Sequence, residues 1–493
     1  MPEIPESAPY RELALALDDI RVDRRLSNVS ELEKLLAPLA KKAGRRPLKF
    51  ASTGNRPPSQ DDLREILASR TLSQAELHRL QLGLMIGDRR EQKERALPSL
   101  PALDVIGISA INTDHILPAS SKRISGEDLG TEDVTWNELD IQKRLEDGHV
   151  DSLVSRLGGS AVNCVRTLNV LGLRTGLVAV AGTPPTSISD ADRRRLEAEL
   201  QLLAAEVDGS FVRGSENVTG RCVSEVVAKD SHAERFLLTW PGANLEIWDL
   251  IHDKFEELVR YLARARVVHI SALIDLEGSD ALANLLAELV EAVREASPHT
   301  TISCDPGYVW SHAYSLGASR ILKLCDLAFC DQEELALLAR TYGGAEHLLP
   351  HSEQYLPHAH SALRSSDAVL VVRLRRSVTL YAQSESVEVQ LKRSGPSADG
   401  TGAGDVFAGG FLAARLDNGL DDRDGAALGM RLARHKVSRP DLGDPEEIRA
   451  IASEARKGVR EHSSRSGHRA NRESQHPTLF ELPPPDPITD VAL

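Results

Sequence analysis

Short runs of apolar, mostly β-branched residues alternate with longer amphipathic stretches between residue 99 and about residue 450. The runs include LDVIGIS, TGLVAVAG, ARVVHIS, TTISCD, DLAFC and DAVLVVRL. The stretches between them include DALANLLAELVEAVREAS and DQEELALLARTYGG, which have helical spacing. Near-continuous apolar strands that alternate with helices predict a parallel sheet covered by helices on both faces. In such a sheet, ligands bind beyond the carboxyl ends of the strands.

One segment, RCVSEVVAKDSHAERFLLTW, breaks this alternation. It predicts two strands joined by a polar turn at Asp230 and Ser231. The alternation of apolar and polar residues indicates an antiparallel hairpin with one exposed face. A hairpin outside a parallel sheet predicts a lid over the ligand site.

The two ends of the chain have other patterns. Residues 1–98 carry charged helical segments such as NVSELEKLLAPLAKKAGRR, and they predict a helical N-terminal extension. Its narrow apolar faces suit either a regulatory or interaction module or a helical decoration of the domain at 99–450. Residues 451–493 are basic and then rich in proline, which predicts a disordered tail. A solvated tail is favoured over one that contacts nucleic acid or a phosphorylated partner.

Composition narrows the class of protein. The 493 residues carry a formal net charge of -14 and only 4% aromatic residues, which argues against a nucleic-acid or membrane-surface binder. The first residues, MPEIPESAPYRELALAL, lack the basic start and apolar core of a secretory signal. No run approaches the ~18 apolar residues of a membrane span. The 5 scattered cysteines predict reduced thiols, and we expect a cytoplasmic protein without a membrane partner.

The stretch SADGTGAGDVFAGGFLAARL joins a glycine-rich loop to an apolar helix. Its glycines therefore lie at a helix N-terminus, where free N–H groups and the positive end of the helix dipole attract anions. Gly402, Ala403 and Gly404 are candidates for an anion hole, and Asp405 is a candidate general base beside it. By itself, the motif is better explained by Asp405 as a first-turn acid that complements the dipole. The loop is neither a Walker loop nor a dinucleotide fingerprint.

The longer string DGTGAGDVFAGGF closely resembles the C-terminal signature of the ribokinase (PfkB-type) carbohydrate and nucleoside kinases. Five further segments resemble that family in the same order along the chain. They are GISAINTDHILP, RLGGSAVNCVRTLNVLGLRTGLVAVAG, TGRCVSEVV with RFLLTWPGAN, SCDPGYVW, and CDLAFCDQEEL. The resemblance covers about residues 100–450. It implies a ribokinase-like three-layer α/β/α domain with a small β lid.

The resemblance also implies roles for single residues. Asp405 would deprotonate the accepting hydroxyl, and Gly402, Ala403 and Gly404 would form the anion hole. The acceptor would be bound by one set of residues: Asn112, Asp114, Gly158, Gly159 and Asn163. The nucleotide side would comprise another: Thr401, Asp331, Glu334 and Arg373. Glu334 would help to organise Mg²⁺ and its water around the phosphates of ATP.

Several departures from the family pattern lie on the nucleotide side. Asp331 replaces the first Asn of the N-x-x-E motif, and Gly307 stands where the family often has Asn. The strand before the signature reads VVRLRRSVTLY, where the family has a T-x-G-x-x-G pattern. Arg373, with the two arginines of RLRRS that follow it, either neutralises phosphates or belongs to a solvated edge. The segment AALGMRLARHKVSRP, near the expected adenine pocket, is bulkier and more basic than usual.

Three other features complete the sequence-based expectations. EHLLPHSEQYLPHAH predicts a histidine-rich surface loop more than a metal site. The acidic insertion SGEDLGTEDVTWNELD is expected to reshape the lid or to form a dimer contact. Asp399 is expected to order the turn before the glycine loop and not to act in catalysis.

The sequence thus favours a kinase that transfers the γ-phosphoryl group of ATP to a hydroxyl of a sugar or nucleoside, with sugar-like acceptors preferred. The alternative is a weak or inactive kinase fold that senses a metabolite and signals through its N-terminal helices and tail. The altered nucleotide side motivates the second hypothesis. The retained GTGAGD favours the first.

Overall fold

The structure is a computed structural model, and it describes most of the chain from residue 103 to residue 455. The described ranges are 103–118, 131–146, 154–229, 232–276, 279–348, 354–374, 377–390, 401–417, 420–437 and 442–455. The N-terminal extension, Asp399, the turn at Asp230 and Ser231, and nearly all of the predicted tail lie outside these ranges.

A 9-stranded sheet forms the centre of the domain, in the order β14-β13-β12-β11-β10-β9-β1-β5-β6. Its strands are β1 (Leu103–Ile108), β5 (Thr175–Thr183), β6 (Asp208–Val218), β9 (Ala265–Ser271), β10 (Thr301–Asp305), β11 (Leu327–Asp331), β12 (Val369–Arg373), β13 (Ser377–Ala382) and β14 (Glu385–Gln390). The seven neighbouring strands β12, β11, β10, β9, β1, β5 and β6 are all parallel. β13 pairs antiparallel with β12, and β14 pairs antiparallel with β13, so these two strands extend one edge of the sheet. The predicted parallel sheet is confirmed.

Helices cover both faces of this sheet, so the predicted three-layer α/β/α architecture is confirmed. The helices are α1 (Glu138–Glu146), α2 (Ser160–Val170), α3 (Asp190–Glu206), α4 (Ile247–Asp253), α5 (Phe255–Leu262), α6 (Ala281–Ala296), α7 (Gly307–His312), α8 (Leu316–Leu322), α9 (Gln332–Gly343), α10 (Tyr355–His360), α11 (Ala403–Leu416), α12 (Asp422–Val437) and α13 (residues 445–455). A 3₁₀ turn (Gly242–Glu246) precedes α4. One apolar core packs α4 to α10 on one face, and others pack α2, α3, α11 and α12 on the opposite face.

The lid is a second sheet of 5 strands in the order β3-β8-β7-β2-β4. Its strands are β2 (Asn112–Pro118), β3 (Glu132–Val134), β4 (Val154–Gly158), β7 (Gly220–Lys229) and β8 (His232–Trp240). β7 and β8 form the predicted antiparallel hairpin. β2 pairs with both β7 and β4, and therefore joins the predicted acceptor segment to the hairpin.

The acidic insertion enlarges the lid. Its described part supplies β3, which pairs with β8, and the start of α1. Ile141 and Leu145 of α1 pack on Leu117 and Val223, on the outer face of the lid sheet. The fully buried Arg221 on this face donates hydrogen bonds to His115 Nε2 (3.2 Å) and Glu138 Oε1 (3.2 Å).

α11 is the helix that follows the glycine-rich loop, and it is almost entirely buried. Small residues let it approach its neighbours closely. A Cβ on Gly410 would lie 2.9 Å from Gly429 Cα of α12, and one on Gly409 would lie 2.8 Å from Thr167 Cβ of α2. Such close packing leaves little freedom for the first turn of α11 to shift.

The structure corrects the prediction for the histidine-rich segment. The histidine-rich segment is not simply a surface loop, because His360 is buried in α10 and donates from Nε2 to the carbonyl of Ala368 (2.7 Å). In the described ranges, no group of three His, Cys, Asp or Glu side chains is placed to hold a metal. α13 runs to residue 455, beyond the predicted domain end at 450, because Ile448 and Ala452 are buried. Within the ranges given above, no helix is long and apolar enough to cross a membrane.

Candidate active site

The candidate active site lies at the carboxyl ends of the central strands, beneath the N-terminus of α11. In the sheet register, Asp305 at the end of β10 stands opposite Ser271 of β9, and Asp331 at the end of β11 stands opposite Arg373 of β12. The parallel strands thus bring polar residues together at the edge where a ligand is expected. Sequence spacing alone does not show this row, because each strand end comes from a different part of the chain.

The glycine loop begins α11 in the way the sequence predicts. Gly402 is the N-cap residue, and its φ of 75° lies in the left-handed region that favours glycine. A Cβ on Gly402 would also lie 3.2 Å from Asn163 Nδ2. The first-turn N–H groups of a helix have no intrahelical partner, so this end of α11 is suited to bind an anion.

Asp405 lies in the first turn of α11, and both of its carboxylate oxygens accept hydrogen bonds from α2. Ser160 Oγ donates to Oδ1 (2.8 Å) and Asn163 Nδ2 donates to Oδ2 (3.0 Å). Burial raises the pKa of the Asp405 carboxyl above its ordinary value, and these two hydrogen bonds oppose that rise. An acid that only complements a helix dipole needs no such partners, so this geometry favours a positioned base.

Ser160 was not among the residues predicted from the sequence, although it follows the predicted Gly158 and Gly159 directly. Replacing it with alanine removes a donor to the charged form of Asp405, so the pKa of that carboxyl should rise further. We expect the acid limb of kcat/KM to move to higher pH in Ser160→Ala, and kcat to fall by about tenfold. A pH–rate profile tests this. A limb that stays at the wild-type pH would show that Ser160 does not support the base.

The acceptor residues predicted from the sequence come together where the lid meets α2. Asn112 of β2 stands opposite Gly158 of β4, and Asp114 is two residues further along β2. A Cβ on Gly158 would lie 2.0 Å from Asp114 Oδ2, so only glycine leaves room for this carboxylate. Asn112 Oδ1 accepts a hydrogen bond from Asn244 Nδ2 (2.8 Å), which fixes the Asn112 side chain. Asn244, in the segment after the lid hairpin, was not predicted.

The nucleotide-side residues form a buried charged group. Arg373, whose side chain is only 17% exposed, donates to Asp305 Oδ2 (2.9 Å) and lies 3.5 Å from Glu334 Oε2. Its guanidinium also packs on the first turn of α11, because a Cβ on Gly404 would lie 3.1 Å from Arg373 Cζ. Arg373 is therefore not on a solvated edge. The two arginines that follow it in the motif lie outside the described residues.

Asp331 and Glu334 form a capping box at the start of α9. Asp331 Oδ1 accepts from the Glu334 N–H (2.9 Å), and Glu334 Oε2 accepts from the Asp331 N–H (2.9 Å). The replacement of Asn by Asp at 331 thus retains an efficient N-cap. Burial raises the pKa of the Glu334 carboxyl, and the neighbouring Asp331 and Asp305 raise it further.

These residues fit a hydrated Mg²⁺ better than a metal bound mainly by protein. Asp305, Asp331 and Glu334 surround the single guanidinium of Arg373, and Glu334 has one carboxylate oxygen beyond the one used in these contacts. Mg²⁺ in phosphoryl-transfer sites usually takes one or two carboxylates, with waters and phosphates as its other ligands. Glu334 is the residue that would approach such a cation.

The sequence matches the model of the pfkB family carbohydrate kinases over residues 133–449, which is more than half of the chain. No curated protein matches the sequence significantly.

Solved structures that share the fold include the following three. The adenosine kinase from Sinorhizobium meliloti is 16% identical, with a TM-score of 0.55 over 72% of this chain and 99% of that one. A probable sugar kinase protein from Rhizobium etli CFN 42 is 15% identical, with a TM-score of 0.53 over 73% and 100%. The adenosine kinase from Schistosoma mansoni, in complex with adenosine in an occluded loop conformation, is 16% identical, with a TM-score of 0.54 over 71% and 100%.

At these identities the structural similarity establishes a shared ribokinase-like fold. The family model adds a match in sequence, and it spans the lid hairpin, every strand of the central sheet except β1, and the glycine loop. The chain belongs to the pfkB family of carbohydrate kinases.

Proposed function

We propose that the chain transfers the γ-phosphoryl group of ATP to a hydroxyl of a sugar or nucleoside. The observation that carries this proposal is the placement of Asp405. Its carboxylate is partly buried at the N-terminus of α11, and Ser160 and Asn163 donate hydrogen bonds to both of its oxygens. A base fixed beside an anion-binding helix end is what phosphoryl transfer to an alcohol needs.

On this proposal, Asp405 takes the proton of the attacking hydroxyl as the bond to the γ-phosphorus forms. The N–H groups at Gly402, Ala403 and Gly404 stabilise the charge on the transferring group. Asn112, Asp114, Gly158, Gly159 and Asn163 bind the acceptor between the lid and α2.

Donor binding involves Thr401, Asp331, Glu334 and Arg373. Arg373 is the cation of this group, and it lies between Asp305 and Glu334 against the first turn of α11. Glu334 would be the residue that holds a hydrated Mg²⁺ here, and such an ion would supply positive charge against the charge that develops on the phosphates. Glu334 would hold the water around that cation, because its carboxylate is already fixed by the capping box.

Sugar-like acceptors are our first choice, with nucleosides second. The similar structures include both an adenosine kinase and a probable sugar kinase protein, so the fold accommodates either class. We further propose that residues 99–450 form one kinase domain, that the protein acts in the cytoplasm, and that it forms a homodimer.

A metabolite sensor is the second candidate function. The observation that favours it is the pairing of Arg373 with Asp305 and Glu334, at the place where the family has a glycine-containing loop. If these ion pairs persist, they occupy the cation that a donor phosphate needs. An acceptor would then bind under the lid without reacting, and residues 1–98 or the tail would transmit the signal.

One assay separates the two functions. The purified chain is incubated with ATP, Mg²⁺ and a panel of sugars and nucleosides, and ADP and phosphorylated product are both measured. Saturable turnover with one acceptor class supports the kinase. Saturable binding of an acceptor without any phosphorylated product would overturn it in favour of the sensor.

A further inference from the structure

The lid touches the glycine loop directly through two hydroxyl groups. Ser224 Oγ, on lid strand β7, lies 3.1 Å from Thr401 Oγ1. Ser224 is fully buried and Thr401 is 8% exposed. A hydrogen bond shielded from water in this way holds its two partners more firmly than an exposed one.

Ser224 faces the acceptor side of the lid. It stands opposite Ile116 of β2 in the sheet register, and Asp114 is two residues away on that strand. Because side chains alternate along a strand, Ile116 and Asp114 share a face, and Ser224 lies on the same one. The lid strand that carries Ser224 is therefore next to the strand that binds the acceptor.

Thr401 immediately precedes Gly402, so the glycine loop is held at both ends. At one end, Thr401 is bound by β7 of the lid. At the other end, Asp405 is bound by Ser160 and Asn163 of α2, which follows lid strand β4 directly. Both attachments connect the glycine loop to the lid sheet, one through β7 and the other through β4, and β2 lies between these two strands.

We propose that Ser224 is a positioning residue that couples the lid to the anion hole through Thr401. The proposal rests on the proposed kinase function. When the acceptor holds the lid in place, Ser224 fixes Thr401, and the N–H groups that follow take the geometry that the transferring phosphoryl group needs.

Geometry explains why this attachment matters. Gly402 has no side chain and takes a left-handed φ of 75°, so its backbone is easily displaced unless a neighbour restrains it. Anion-hole donors must stand within about 0.5 Å of their working positions to stabilise the transition state. The Thr401 hydroxyl is the side-chain attachment nearest to Gly402 on its N-terminal side.

The contact between Ser224 and Thr401 also affects how well the lid excludes water from the site. A lid held against the glycine loop excludes solvent from the γ-phosphorus, where water would otherwise attack and give ADP and inorganic phosphate. Ser224 therefore influences both how fast the phosphoryl group moves and which oxygen receives it.

The test compares Ser224→Ala, Thr401→Val and the double variant with the wild type. Each single change removes one hydroxyl and little volume. We expect kcat to fall about fivefold to tenfold in each, with the acceptor KM changed by less than twofold. The ratio of ATP hydrolysis to acceptor phosphorylation should rise by a similar factor. The double variant should lose no more than Thr401→Val alone, since the contact that Ser224→Ala removes is already absent in Thr401→Val.

Ser155→Ala is the matched control. Ser155 is also a fully buried lid serine, but its Oγ pairs with His115 Nδ1 (3.0 Å) on the outer face of the sheet. Losing that bond should lower the melting temperature without changing the hydrolysis ratio. Ser224→Thr keeps the hydroxyl and should restore most of kcat.

A measurement that needs no turnover keeps this inference separate from the proposed function. Hydrogen exchange of the amides of Gly402–Asp405 should be faster in Ser224→Ala than in the wild type, and unchanged in Ser155→Ala. A wild type that phosphorylates nothing removes the kinase proposal, and the exchange data still decide whether Ser224 restrains the loop. Unchanged exchange together with unchanged kcat, or effects that add in the double variant, would overturn the inference.

Discussion

Asp405→Asn should lower kcat by about 10³-fold, the scale expected when a general base is removed. Asparagine has nearly the same shape, and its amide can still accept from Asn163 and donate to the Ser160 hydroxyl. The loss would therefore reflect the missing proton acceptor and not a rearranged site. Acceptor KM should stay within about twofold to threefold of the wild type, because Asp405 acts on the hydroxyl mainly in the transition state. Steady-state kinetics with the acceptor found in the panel measure both constants.

Asp422→Asn is the matched control for Asp405. Asp422 is also a first-turn acid, at the start of α12, and it pairs with Arg415 (2.9 Å) away from the glycine loop. If Asp405 served only to complement the helix dipole, both changes would have similar, small effects on kcat. A tenfold or smaller loss in Asp405→Asn, matched by Asp422→Asn, would contradict the assignment of a catalytic base.

Asp405→Asn should raise the stability of the folded chain although it lowers kcat. Because burial raises the pKa of Asp405 in the folded state, the folded chain binds this proton more tightly than the unfolded chain. Stability is therefore lost as pH rises from the ordinary Asp value, about 4, through the raised pKa. At pH 7 the buried charge opposes folding, and Asp405→Asn should melt at a higher temperature than the wild type. The two curves should converge toward acid pH, where the wild-type carboxyl is protonated.

Local pattern and family resemblance predicted part of the site, and the contacts that were missed join residues far apart in the sequence. The glycine loop and the strands follow from local pattern, since helix caps and apolar runs are short-range features. The role of Asp405 and the set of acceptor residues came from the family resemblance. Ser160 meets Asp405 across a separation of 245 residues, and Ser224 meets Thr401 across 177. Serine has no distinctive spacing, so only the fold reveals which hydroxyl lies beside which partner.

Arg373 shows how burial resolves what sequence left open. A basic residue in RLRRS fits a solvated edge as well as a phosphate site. The register of β10, β11 and β12 places Asp305, Asp331 and Arg373 at one edge of the sheet, where a lone carboxylate or guanidinium would be costly. The charge of Arg373, which departs from the family pattern, is thus balanced by Asp305 of the SCDPGYVW motif. Asp305 was not predicted as a site residue.

Arg373→Gln should weaken donor binding and stability together. The change leaves Asp305 and Glu334 without their cation, and breaking a buried ion pair from one side typically costs about 3–5 kcal/mol. Because Arg373 is 17% exposed, we expect the lower end of that range. The KM for ATP should rise by at least about tenfold, since the excess negative charge repels the phosphates. Acceptor affinity should be unchanged, because Asn112 and Asp114 lie on the lid.

Arg320→Gln separates the two effects. Arg320 is similarly buried, at 14% exposure, and it joins α8 to Glu288 and Glu291 of α6 and not to the residues at the strand ends. It should lose comparable stability in chemical denaturation without any rise in the KM for ATP. Arg373→Lys, which keeps the charge but not the planar fork, should fall between the wild type and Arg373→Gln in both measurements. If Arg373→Gln instead bound ATP as tightly as the wild type, or more tightly, then Arg373 would not bind the phosphates. Its guanidinium, paired with Asp305 and Glu334, would instead block the donor site. The altered strand would then support the sensor and not the kinase.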